Sequence, residues 1–144
     1  MEVRHAPHCS YRIRYHMVFV VKYRKDLLSL TVFDYLKEIL RGISQRYYLW
    51  FHAIGSDQDH VHILVQLPVK VGLPDVVARI KANSCNIIRK SGHRDFTWQS
   101  GYVLLTTDAG SLPRLRNYIA NQKKHHKTQN YVDECAVLFD EPIK

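Results

Sequence analysis

Residues 57–68 read Asp-Gln-Asp-His-Val-His-Ile-Leu-Val-Gln-Leu-Pro, and this run constrains the chain more than any other. Apart from its two histidines it has the composition of a buried β-strand. Successive side chains of a strand point to opposite faces, so His60 and His62 share one face. Any fold for this chain must therefore give that strand neighbours in a sheet. It must also account for two imidazoles held side by side.

The rest of the chain supplies the neighbours. Tyr11 to Arg24 is aromatic and β-branched and predicts a strand, with Arg12 and Arg14 on the face opposite Ile13 and Tyr15. Val32, Leu36, Ile39, Leu40, Ile43 and Tyr47 recur at helical spacing, predicting an amphipathic helix over Thr31–Tyr48. "YLWFHAIGSD" and "HVHILVQL" then form a hairpin about the turn residues Gly55 to Asp59. A second helix begins near Pro74, carries Val76, Val77, Ile80, Ser84, Ile87 and Ile88 as its stripe, and stops near Gly92. "FTWQSGYVLLTT" predicts a fourth strand. Ser111 caps a further helix with Pro113 in its first turn, and "NYVDECAVLF" predicts a short last one. The order β-α-β-β-α-β-α-α predicts an α+β, ferredoxin-like or RRM-like single domain over residues 1–144. Two helices cover one face of a four-stranded, mainly antiparallel sheet, and the other face is left for a ligand or for the last helices.

Charge narrows the partners. Lys and Arg number 21 against 13 Asp and Glu, a net charge of +8, which favours a polyanion such as nucleic acid. Cys9, Cys85 and Cys135 are widely spaced and form no CxxC pair, as expected of a reduced, cytoplasmic protein. No apolar run is long enough for a membrane span, and the first residues lack the apolar core of a signal peptide.

Two histidines on one strand face can each give a neutral nitrogen to a metal, with Asp59 placed to orient one of them. They do not close a site alone. In "LRNYIANQKKHH", Tyr118 and Gln122 are four apart on a helix and so are neighbours, and Gln122 takes a place the apolar stripe would give to Leu. Two arrangements satisfy that inward polar group. Gln122 can complete a metal site with its amide oxygen, which puts the Tyr118 hydroxyl beside the metal, or it can hydrogen-bond Tyr118 at the edge of the core.

"DHVHIL" followed much later by "YIANQ" resembles the single-tyrosine HUH transposases of the insertion sequence 200/605 family, often called TnpA. "VVKYRK", "RIKANS", "WQSGY" and "YIANQKKHH" extend the resemblance over most of the chain, whereas "GYVLLTTDAGS" departs from the Gly- and Ser-rich wording of that strand and turn. The resemblance implies a metal held by His60, His62 and Gln122, Mg²⁺ or Mn²⁺, and Tyr118 on the C-terminal helix as the nucleophile. It implies cleavage and rejoining of single-stranded DNA through a 5′-phosphotyrosine, recognition of hairpins at element ends, and a homodimer. In such a protein the basic residues would hold the DNA backbone, and Arg12, Arg14, Arg79, Asn83, Lys90, Lys123 and Lys124 are the candidate contacts. Two other classes compete. A non-catalytic, RRM-like binder accounts for charge and tyrosines but not for His60, His62 and Gln122. A zinc hydrolase would draw Cys85 or Cys135 to the two histidines.

Overall fold

The computed structural model describes residues 3–107 and 112–120. Strands β3 (Arg14–Val20), β4 (Trp50–Ser56), β5 (His60–Gln66) and β6 (Val103–Thr106) make one sheet in the order β4-β5-β3-β6, and every pairing in it is antiparallel. With α1 (Leu30–Tyr47) and α2 (Leu73–Lys90) between them, this is the ferredoxin-like arrangement that the order of elements predicts. Alternation along the strands sorts the side chains. Met17, Phe19, Val61, Ile63 and Val65 are fully buried in one core with Val32, Leu36 and Leu40 of α1 and Ile80 and Ile88 of α2. His16, Val18, His60, His62 and Leu64 alternate with them and belong to the other face. There α3 (Leu112–Ala120) packs on β4 and β5, burying Ile119 against Leu64.

The helices start and stop for local reasons. The Ser29 hydroxyl accepts from the Val32 N–H and caps α1. Tyr48 ends that helix in the left-handed region, where its own N–H returns to Ser44. Pro74 sits in the first turn of α2, and Gly92, with φ of 105°, ends the segment beyond it. None of the helices among the described residues is long and apolar enough to cross a membrane.

Three expectations need correction. Composition predicts the first strand over Tyr11–Arg24, but the sheet uses only Arg14–Val20 of it. Upstream, β1 (Arg4–Ala6) and β2 (Cys9–Tyr11) form a separate hairpin. Downstream, Lys22–Arg24 is a 3-10 turn in which Tyr23 and Arg24 have positive φ. The predicted fourth strand starts at Phe96, yet the strand proper begins at Val103, and upstream of it an isolated antiparallel bridge joins Trp98 to Val21, with the Gln99 N–H donating to the Val20 carbonyl at 2.8 Å. The same segment is tied to α2: Trp98 Nε1 donates to Ser84 Oγ at 2.7 Å and Lys81 Nζ to the Gln99 carbonyl at 2.9 Å. The bond from Trp98 also explains a serine in an apolar stripe. Ile87, expected on the stripe, is 42% exposed, because Ile88 takes the place against the sheet. The expected last helix in "NYVDECAVLF" lies outside the described residues.

Candidate active site

His60 and His62 lie where the alternation of β5 puts them, on the face away from α1 and α2. Their rings are 5.3 Å apart between centroids and both are fully buried. β3 flanks them with Val20 opposite His60 and Val18 opposite His62, and β4 sets Gly55 opposite His62. α3 crosses this face and brings Tyr118 to it. The half-buried Tyr118 ring stands edge-on to His62, with centroids 6.0 Å apart at 84°. The histidine pair and the tyrosine are 56 positions apart in the chain (118 − 62) and meet only through this packing.

Gly55 is what lets α3 come so close. A Cβ at this position would run into the backbone carbonyl of Ile119, the residue next to Tyr118. Backbone cannot yield as a side chain can, so Gly55→Ala must lift α3 off β4. Gly55→Ala is therefore expected to keep the sheet intact by circular dichroism and to loosen α3, so that limited proteolysis cuts that helix faster than in the wild type. Unchanged proteolysis in this variant would show that α3 is not held where the structure has it.

Each histidine has a polar partner on its other ring nitrogen. Asp59 Oδ1 lies 2.6 Å from His60 Nδ1, and Arg24 Nε donates to Asp59 Oδ2 at 3.1 Å. Burial alone would push the Asp59 carboxyl up, but the hydrogen bonds and charges of His60 and Arg24 outweigh it and hold it below the usual carboxylate range. An ionised carboxylate only accepts, so in the neutral form of His60 the proton sits on Nδ1 and Nε2 keeps its lone pair. The turn that carries Asp59 is fastened to the segment that carries Arg24. Val21 N–H donates to the Asp59 carbonyl and Leu28 N–H to the Gln58 carbonyl, both at 2.8 Å. His62 Nδ1 lies 2.7 Å from Nε2 of His16, a buried residue of β3.

A second contact fixes α3 from its exposed side. Arg116 Nη2 donates to His52 Nδ1 at 3.0 Å, and the Trp50 indole stacks on the His52 ring at 5.1 Å and 13°. β4 has its register irregularity here, between Phe51 and Ala53. Burial and then the Arg116 charge push the His52 imidazole down from 6.5 to about 4. His52 thus stays neutral through the physiological range. Its contribution to docking is complete above the ordinary histidine value and is lost as pH falls through about 4. Protonated imidazole quenches a stacked indole, so Trp50 fluorescence is expected to drop with a midpoint near pH 4, and His52→Gln to remove that step. A midpoint at the ordinary value would mean that His52 and Arg116 do not meet.

The other candidates are dispersed. Arg12 is exposed, whereas Arg14, expected as a surface DNA contact, is buried at 5% exposure on the histidine side of the sheet. Arg79, Asn83 and Lys90 are exposed on α2, across the sheet from the histidines. Gln122, Lys123 and Lys124 lie outside the described residues. Cys85 packs on α2 against the core of the opposite face, which removes it as a partner of the histidines, and Cys135 lies outside the described residues. No cluster of three or more His, Cys, Asp or Glu suited to a metal occurs among the described residues.

Sequence reasoning missed His16, Gly55 and the pairing of Arg116 with His52. For His16 a signal was present, a histidine among the buried residues of a strand. What the sequence lacks is the register that places it diagonally across from His62.

Comparison with known proteins agrees with this fold. The family model described as "Transposase IS200 like" matches residues 9–122. The ISDra2 transposase TnpA of Deinococcus radiodurans is 27% identical over 129 residues, covering 85% of this chain and 92% of that protein. The transposase for insertion sequence element IS200 of Salmonella typhimurium is 23% identical over 128 residues, covering 83% of each. A solved Deinococcus radiodurans chain assigned as a transposase superposes with a TM-score of 0.67 at 27% identity, over 83% of this chain and 97% of that one. A REP-associated tyrosine transposase bound to a REP hairpin has the same fold, with a TM-score of 0.65 at 14% identity over 88% of this chain and 74% of its own.

Proposed function

Because the chain belongs to the IS200-like transposase family, we propose that it cleaves and rejoins single-stranded DNA, with Tyr118 as nucleophile beside a divalent metal bound by His60, His62 and Gln122. The observation that carries this reading is the meeting of Tyr118 with the histidine pair on the sheet face that α3 crosses.

The donors fit a divalent cation. Two imidazoles stand side by side, and the carboxylate of Asp59 keeps the proton of His60 on Nδ1 and so leaves Nε2 to donate. Gln122 would add an amide oxygen, a donor for the harder ions Mg²⁺ and Mn²⁺. Such an ion supplies polarisation of a non-bridging phosphate oxygen and a fixed orientation of the phosphate. The chain's own residues do the rest. Tyr118 Oη forms a bond to phosphorus, the bond from phosphorus to the 3′-oxygen breaks, the phenolic proton passes to water, and the departing oxygen takes one up. The phosphodiester's free energy is conserved in the tyrosine ester, so a later 3′-hydroxyl can reverse the step without a nucleotide cofactor.

The solved neighbour bound to a REP hairpin supports a hairpin-bearing strand as substrate. In this reading Arg116, on the helix that carries Tyr118, is the cation offered to the strand being cut, while Arg79, Asn83 and Lys90, across the sheet, hold flanking DNA. A second copy of the chain completes the assembly. The face itself disfavours an RRM-like binder: α3 covers it, and buried imidazoles and Leu64 stand where a stacking platform would need exposed aromatic rings. The test uses synthetic single strands copied from the DNA flanking the gene, with Mn²⁺ or Mg²⁺. One cut beside a hairpin, and none in the matching duplex, is expected. No cut with either ion would overturn the reading.

A further inference from the structure

We propose that His16 is the positioning residue of the histidine pair, selecting the ring nitrogen that His62 presents to the cation. The inference rests on the metal site proposed above and adds a residue that no part of that reading requires.

His16 Nε2 and His62 Nδ1 are 2.7 Å apart. At that separation one of them carries a proton and the other accepts it, so the tautomers of the two rings are locked together. If His16 Nε2 accepts, His62 is protonated on Nδ1, and its Nε2 has a lone pair to give. If His16 Nε2 donates, His62 holds its proton on Nε2 and is useless as a ligand through that atom. His60 has its tautomer fixed by the Asp59 carboxylate, which only accepts. Where His60 Nδ1 meets a carboxylate, His62 Nδ1 meets an imidazole. The pair is thus built asymmetrically, one ligand on an anion and the other on a neutral ring.

His16 is buried in the middle of the sheet, with apolar neighbours on both adjoining strands. It is 1% exposed, between Tyr15 and Met17 on β3, and lies opposite Leu64 of β5 and Leu105 of β6. Valine or leucine would pack there without the cost of burying an imidazole. Its ring lies 4.9 Å from that of His62 at 36°, so it also restrains the rotation of His62 about its side-chain bonds. Residues that hold a metal ligand in this way alter metal affinity by about 10- to 100-fold when removed.

Titration of the full chain with Mn²⁺, followed by the electron paramagnetic resonance signal of the free ion, tests this. His16→Leu keeps the packing and removes the acceptor. It is expected to fold, to bind Mn²⁺ about 10- to 100-fold more weakly, and to regain cleavage as Mn²⁺ is raised. His16→Gln offers an amide oxygen to the Nδ1 proton and is expected to stay close to the wild type. In the unsubstituted protein, ¹⁵N shifts of the histidine rings should show both His62 and His16 protonated on Nδ1, a readout that needs no variant to fold. Wild-type Mn²⁺ affinity in a folded His16→Leu, or a His62 protonated on Nε2, would overturn the proposal. If His60→Ala lost Mn²⁺ while His16→Leu kept it, the metal site would stand and only the role of His16 would fall. A wild type that bound no Mn²⁺ would overturn both.

Discussion

Tyr118→Phe is expected to fold, to bind hairpin DNA as the wild type does, and to cut nothing. The substitution removes one oxygen and leaves the ring that stands edge-on to His62. The neighbouring Ile119 keeps its contact with Leu64, and Gly55 still admits the helix, so α3 stays docked. What is lost is the only atom of that side chain able to attack phosphorus. Removing a covalent nucleophile from an otherwise intact site lowers the rate by on the order of 10⁴-fold or more. Gel shift, thermal melting and cleavage of an end-labelled strand separate the three properties. Residual cutting near the wild-type rate would move the chemistry to another residue or to an activated water.

The second large effect belongs to the histidines. His60→Ala and His62→Ala each remove one imidazole, and each is expected to lower metal-dependent cleavage on the order of 10³-fold. Gln122→Ala should lose less, because water can replace an amide oxygen. Both histidine substitutions also disturb buried partners. His62→Ala leaves His16 facing a cavity, and an unsatisfied buried group costs about 1–3 kcal/mol. His60→Ala takes one hydrogen bond from the Asp59 carboxylate and leaves it paired with Arg24. A melting curve must therefore accompany each assay, and His62→Gln, which can still meet His16, controls for the loss of packing. Activity that survived in a folded His62→Ala would remove the histidine pair from the mechanism.

Much of this was legible in the residues, for a physical reason. A strand's two-residue period fixes which side chains share a face, so His60 and His62 could be paired without knowing any neighbour. Helical spacing did the same for α1 and α2, whose stripes meet the sheet as expected except at Ile87. What a period cannot supply is register between elements. His16 lies 46 positions from His62, and only antiparallel pairing of β3 with β5 brings them together. The same holds for Gly55, which reads as a turn residue in the sequence but is the point where α3 touches β4. Arg12 and Arg14 show a different limit. Alternation put both on one side of the first strand, yet the strand starts at Arg14, so one is exposed and the other buried. Basic residues on α2 were legible as a solvated side, but which face of the sheet that helix covers was not.

A covalent bond between Tyr118 and DNA leaves a product that can be isolated. Wild-type protein is incubated with Mn²⁺ and a hairpin-bearing single strand labelled at its 3′ end, then denatured and digested. The label is expected to remain on the protein through denaturation, and mass spectrometry to find a nucleotide phosphate on the peptide that contains Tyr118. A strand labelled at its 5′ end should leave a free fragment ending in a 3′-hydroxyl. Cleavage with no protein-bound label, or a modified peptide carrying another tyrosine, would contradict the account.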